Sequence, residues 1–415
     1  MTGRVQEGIY FRKGETPAPF FSIMFLQADR AVGARAIGDT VLGLWTLYQG
    51  LKQGNVPDLP GAPVLAEDLQ VLLGFGPKTF SLEGAVRGRP EGLDDESLFA
   101  SPLPGGGGSL LRGSGLSYAP EMRENRATEE VVVQFTGNSR LAVERGVVET
   151  WKHLHAIADP QTGAAPLGIT TFYLGDQRED QRSWIDFHDG LSNLQSSERP
   201  AVVAIDPSGV PEEDWTVNGT YLAFARIGID LAGWGSLTRH QQELVVGRDK
   251  LTGCPLTRSG PDGAPVVAAG CPVAGQDITD PHNPFRVAGQ GGDAVIRRSH
   301  IQRANHHLEA SDPGGLRIYR QGYPFLEWQE ASPGFRAGLN FVSFQDTPSR
   351  VTRMLTQPGW LGGTNFGGDP AHDPPALSTL LAVYAAGIYF VPPVNDDEPF
   401  PGAAIFGVVP ALAPA

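Results

Sequence analysis

Three observations predict an α+β fold built as two similar halves with antiparallel sheets. Apolar runs of strand length recur, amphipathic stretches of helical spacing lie between them, and a strand-helix-strand-strand-helix order starts again midway. In the first half, Phe20 to Gln27 (FFSIMFLQ) is a buried-strand candidate. Ala34 to Lys52 follows, with Ile37, Val41, Leu42, Leu44, Trp45 and Leu51 at broadly helical spacing. Asp68 to Phe75 and Glu129 to Thr136 read as strands, and Pro102 to Gly115, with its four glycines from Gly105 to Gly108, as an exposed insertion. Ser139 to Ala156 is a predicted helix with Leu141, Val147, Val148, Trp151 and Leu154 broadly on one face.

The second half repeats the theme. Tyr221 to Asp230 is a strand candidate, Leu237 to Val246 a helix, Leu316 to Tyr319 and Leu339 to Gln345 strands, Pro348 to Thr356 a helix and Ala386 to Val391 a final strand. Gly247 to Gly292, rich in Gly, Pro and Asp, reads as a wrapped loop. This order fits antiparallel sheets better than a parallel βαβ array.

Composition bounds the function. The 415 residues exceed a single small module, and 40% hydrophobic with 19% charged residues is the balance of a globular chain. With 46 acidic against 32 basic residues the net charge is −14, which offers no basic footprint for nucleic acid or an anionic membrane surface. Neither a signal-peptide core nor a stretch of ~20 apolar residues is seen, so a cytoplasmic location is expected. The two cysteines, Cys254 and Cys271, are too few for a disulfide framework and are expected as reduced thiols. No CxxCH stretch is present, which excludes that covalent mode of haem attachment. The apolar tail GAAIFGVVPALAPA reads either as a loose terminus or as a subunit contact, leaving a homo-oligomer open.

Four stretches carry the chemistry. WIDFHDGLSN, from Trp184 to Asn193, places Asp189 before Gly190; alone, Asp-Gly is a common turn signal. RRSHIQRANHH, from Arg297 to His307, combines a candidate metal ligand, His300, with several cations. In RIYRQGYPF, Arg317 and Tyr319 alternate with Ile318 and Arg320, so Arg320 shares a strand face with an apolar neighbour. In GLNFVSFQ, Leu339, Phe341 and Ser343 alternate with Asn340, Val342 and Phe344, which alone is core.

Taken in order, this set resembles the dye-decolourising peroxidase family. That family carries an Asp in a GxxDG stretch and an Arg in an RRG stretch on the distal side of haem, and an iron-binding His before an IR-x-A-N run. The matching positions are Asp189, Arg320 and His300. LLGFGPKTF, GTYLAFARI, QELVVGRDKLTGCPL and AGIYFVPP extend the likeness from about Gln6 to Pro393. Three positions depart: Asp186 replaces the first Gly of GxxDG, Gln321 the second Arg of RRG, and His306-His307 a Pro-Arg.

The resemblance implies two ferredoxin-like halves, residues 1–215 carrying Asp189 and residues 216–415 seating one non-covalent haem b. It also implies hydrogen peroxide and a bulky aromatic donor as substrates. His300 would ligate iron, Asp189 would move a proton, and Arg320, which stays charged in proteins, would hold developing negative charge. Phe187, Leu339, Phe341 and Phe344 are expected as pocket walls, and Arg298 and Arg303 as partners of the haem carboxylates. Asp373 is a candidate acceptor for the second imidazole nitrogen, and His188 is read as structural or as a haem-edge contact. A haem-handling protein without peroxide turnover is the competing reading, set apart by its lack of need for an Asp-Arg pair. A cofactor-free interaction protein is the third.

Overall fold

The computed structural model describes residues 3–10, 17–29, 31–61, 66–93, 129–194, 196–207, 211–271, 294–304, 317–330, 332–355 and 380–408. The first half contains β1 (Phe20–Ala28), α1 (Ala34–Lys52), β2 (Gln70–Phe75), β3 (Val131–Gly137), α2 (Arg140–Ala156) and β4 (Leu167–Asp176). A short helix α3 (Pro200–Val203) leads to the second half. That half contains β5 (Thr220–Ile229), α4 (Leu231–Gly235), α5 (Arg239–Val246), a hairpin of β6 (Leu256–Ser259) and β7 (Pro265–Val267), α6 (Ala294–Arg297) and α7 (His300–Ala304). It closes with β8 (Tyr319–Trp328), β9 (Phe335–Gln345), α8 (Pro348–Leu355) and β10 (Leu381–Val391).

Eight strands form one antiparallel sheet in the order β4-β1-β3-β2-β10-β5-β9-β8. Numbering the four strands of each half from one, both halves run 4-1-3-2, so each is a ferredoxin-like βαββαβ unit. The halves join where Phe75 pairs with Phe390. The far edges also approach each other, since Asn340 Nδ2 on β9 donates to the Leu174 carbonyl on β4 at 2.9 Å and Gln177 Nε2 donates to the Gly322 carbonyl on β8. Period-two alternation sorts the strand residues into separate cores. Met24, Leu26, Val131, Val133 and Phe135 face α1 and α2. Phe21, Ile23, Phe25, Tyr173, Phe224, Tyr323, Phe344 and Tyr389 fill the space shared by the two halves. Ala223, Ala225, Phe341 and Ile388 line the outer face of the second half.

Local signals start the helices. Ser139 accepts from the Ala142 N–H to cap α2, and Thr238 with Gln241 forms a capping box at α5, which ends on Gly247 at φ +90°. Among the described residues no helix is long and apolar enough to cross a membrane.

Several expectations are corrected. On α2 the buried face is carried by Val143, Val147 and Leu154, while Leu141, Val148 and Trp151 are exposed. They sit one residue off the buried stripe, which is all a helix needs to turn them to solvent. β4 was not anticipated: its LGITTFYLGD lacks an apolar run because one side is solvated at the sheet edge. β8 runs far beyond Tyr319, through Gly322 and Pro324, since an edge strand tolerates the missing N–H. The stretch after Gly247 is not only loop. Its hairpin brings the Cα atoms of Cys254 and Cys271 to 6.1 Å, and the two are joined as a disulfide rather than standing as reduced thiols. The Pro102 to Gly115 insertion lies outside the described residues.

Candidate active site

The loop after β4 is shaped to present one carboxylate. Arg182 and His188 form an isolated antiparallel bridge, Ser183 N–H donates to the Phe187 carbonyl at 3.0 Å, and Asp189 N–H donates to the Gln181 carbonyl at 2.9 Å. The turn closes at Asp186 with φ +65°, a left-handed conformation that Gly adopts freely and Asp tolerates. This accounts for Asp186 at a position where the resembling family has Gly. Its carboxylate is exposed and meets Lys250 Nζ at 3.5 Å. Arg182 fixes the loop from outside. Its guanidinium donates to the carbonyls of Asp186 (2.6 Å), Lys250 (2.8 Å) and Leu251 (3.0 Å) and meets His188 Nε2 at 2.9 Å. His188 therefore has a structural partner.

Held this way, Phe187 is buried with its ring edge-on to Trp234, and Asp189 is half-buried, its Oδ1 accepting from the Gly190 N–H at 2.7 Å. Its Oδ2 lies over Gly322, where a Cβ atom would stand 2.8 Å away. Arg320 is two residues before Gly322 on the same face of β8. The Asn193 side chain grips its backbone, donating to the Arg320 carbonyl at 2.7 Å and accepting from its N–H at 3.1 Å. Arg320 Nη2 donates to the Leu191 carbonyl at 2.9 Å. Burial pulls the Arg320 pKa down from its ordinary value, the Asp189 charge opposes that, and Arg317 adds to it. A guanidinium stays protonated through such a shift. A carboxylate therefore lies within electrostatic reach of a fixed cation.

Phe187, Leu339 and Phe341 belong to one apolar cluster with Trp234, Ile318, Ala223, Ala225 and Ala386. His300 is half-buried at the start of α7, and Ala304, at the end of the same helix, packs on this cluster. Phe344 does not join them. Strand alternation turns it into the core between the halves, with Tyr319 and Tyr323, so it is corrected from a pocket wall to a core residue. Arg298 is exposed. The Arg303 side chain, His306, His307 and Asp373 lie outside the described residues.

This set fits haem. Ala223, Ala225 and Ala386 give the sheet face a low apolar floor, and the Trp234 Nε1 is buried without a partner among the described residues. Among the described residues no group of three His, Cys, Asp or Glu is placed to hold a bare metal ion. Sequence reasoning missed Asn193, Arg182 and Gly322. Asn193 stood four residues after Asp189 in a stretch already singled out, but nothing in the spacing told that its amide would cap a strand edge.

The family model for "Dyp-type peroxidase, C-terminal" matches residues 180–396. A curated relative, the deferrochelatase of Escherichia coli (strain K12), is 25% identical over 234 residues, which is 56% of this chain and 47% of that protein. The matched stretch thus spans about half the length of the curated relatives. A DyP-type peroxidase structure from Cellulomonas bogoriensis aligns with TM-score 0.66 at 20% identity, covering 98% of this chain and 97% of that one. Ferric DtpA from Streptomyces lividans aligns with TM-score 0.65 at 19% identity, covering 98% of each. At these identities the two structures show the fold.

Proposed function

The chain belongs to the Dyp-type peroxidase family, and we propose that it is a haem peroxidase in which His300 holds iron and Asp189 with Arg320 forms the peroxide side. The observation that carries this reading is the pairing of a half-buried carboxylate with a buried-edge guanidinium at the rim of an apolar cluster that α7 also borders. One non-covalent haem b per chain, seated by residues 216–415 with Asp189 reaching in from residues 1–215, fits that arrangement. When bound, haem supplies the two electrons that break the O–O bond.

The chain's own residues do the rest. Asp189 takes a proton from the nearer peroxide oxygen and returns it to the farther one, which leaves as water; the carboxylate is held for this by the Gly190 N–H and by its seat over Gly322. Arg320 cannot give up its proton, so it orients peroxide and offsets negative charge on the departing oxygen. Phe187, Leu339 and Phe341 keep bulk water from the site, which strengthens both effects. His300 would hold the iron through an imidazole nitrogen, and Arg298 and Arg303 would pair with the haem carboxylates. A bulky aromatic compound is the electron donor. His300→Ala tests the ligand: the wild-type protein loaded with haem should show a Soret band near roughly 400 nm, and the variant should lose it. Full haem occupancy with an unchanged spectrum in the variant would overturn the assignment.

A second reading has a specific observation behind it, since the curated relatives are described as deferrochelatases. In that reading the same seat binds haem and releases its iron. The Asp189 and Arg320 pair favours peroxide chemistry, because iron removal has no use for a cation aimed at a leaving oxygen.

A further inference from the structure

Ser192 is one of the few residues other than glycine with a positive φ, at +62°, and it follows the residue whose carbonyl receives Arg320. The φ angle of Ser192 sets how the Leu191–Ser192 peptide plane is turned, and therefore where the Leu191 carbonyl points. L-residues avoid this region, so something must hold Ser192 there. Its hydroxyl accepts from Arg248 Nη2 at 2.9 Å, while Arg248 Nη1 donates to the Gly253 carbonyl at 2.7 Å. Arg248 is only 3% exposed and follows Gly247, the C-cap of α5, with its backbone bridged to Pro255. The residue after Gly253 is Cys254, and the Cys254–Cys271 disulfide packs against the Leu191 side chain. Both the carbonyl and the side chain of Leu191 are thus anchored to one loop of the second half.

We infer that Arg248 is a positioning residue for Arg320, acting through Ser192 and the Leu191 carbonyl, with the disulfide as the backing against which Leu191 rests. This rests on the peroxidase reading for its consequence but not for its geometry. Losing Arg248 removes one bond that holds Ser192 at positive φ, which lets the Leu191 carbonyl turn and weakens its hold on the Arg320 guanidinium. The Asp189 seat over Gly322 is untouched, because it depends on β8 and on the Arg182-held turn.

The test compares wild type, Arg248→Met, Arg248→Lys and Arg320→Leu as haem-loaded protein. Amide hydrogen exchange over residues 189–194, fluoride affinity of the ferric form and the rate of reaction with hydrogen peroxide are measured, alongside the thermal midpoint. Arg248→Met should speed exchange in that segment and weaken fluoride binding and the peroxide rate about 10-fold, as losing a residue that orients a functional group does. Arg248→Lys, which keeps a donor, should recover part of each. Fluoride affinity per bound haem equal to wild type in Arg248→Met, with only the thermal midpoint lowered, would overturn the proposal and leave Arg248 a structural tie. If wild type and Arg320→Leu react with peroxide alike, the peroxidase reading fails separately, and the exchange data still decide whether Arg248 holds the segment.

Discussion

The carboxylate of Asp189 rests over the α-carbon of Gly322, so close that a methyl group there would stand 2.8 Å from Oδ2 and 3.1 Å from Leu339 Cδ1. This makes Gly322 the residue that gives Asp189 its place beside Arg320. The glycine is needed for close approach rather than for an unusual backbone angle. Gly322→Ala should therefore displace the carboxylate and slow the reaction with peroxide by roughly 10-fold or more, a misplacement effect of the kind expected when a reacting group shifts by an ångström. Stopped-flow rates equal to wild type in that variant would mean the carboxylate moves aside without consequence.

Asn193 should prove important without touching peroxide. Its amide satisfies both backbone groups of Arg320 on the outer side of an edge strand. Asn193→Ala removes two hydrogen bonds, each worth about 1 kcal/mol net, and should lower the thermal midpoint by ~2–6 °C in a domain of this size. An unchanged midpoint in a thermal scan would show that water replaces the amide at no cost.

Glu129 offers a pH test away from the site. It is buried in the first half, where Thr170 Oγ1 donates to Oε1 at 2.8 Å and the Tyr389 hydroxyl meets Oε2 at 3.4 Å. Burial raises its pKa above the ordinary carboxylate value, outweighing the hydrogen bonds that lower it. With the folded pKa above the unfolded one, the unfolded chain loses its proton first as pH rises. Stability is then full below the unfolded pKa and falls as pH climbs through the folded one. Glu129→Gln keeps the acceptor for Thr170 and cannot ionise, so it should raise the thermal midpoint at neutral pH by about 1–3 °C and converge with wild type in acid. A midpoint gain that persists at low pH would contradict this.

The disulfide makes a direct chemical prediction. Protein unfolded without reductant should show no thiol reactive to an alkylating agent, and two after reduction, by intact mass. Two reactive thiols before reduction would restore the expectation read from the sequence.

Much of this was legible in the residues, and the omissions have physical causes. Strands with a buried face, such as β1, β3 and β5, announced themselves as apolar runs. β4 and most of β8 did not, because an edge strand is half solvated and can carry Gly322 and Pro324. Asp189, Arg320 and His300 were singled out by order and spacing, which survive sequence drift, and the structure brings Asp189 and Arg320 within electrostatic reach of each other. Asn193 bonds to backbone 127 residues away and Arg248 to a side chain 56 residues away, and no local pattern encodes such partners. Phe344 was grouped with Phe341 as a pocket wall, but alternation along β9 sends the two to opposite faces. The cysteine pairing depended on a hairpin hidden in sequence that reads as loop.

The central claim is that Asp189 and Arg320 act together on peroxide beside a haem held by His300, and stopped-flow reaction of the ferric, haem-loaded protein with hydrogen peroxide tests it most directly. Wild type should undergo a fast spectral change; Arg320→Leu should slow it by ~10²–10³ and Asp189→Asn by ~10²–10⁴. Wild-type rates in both single variants would contradict the account.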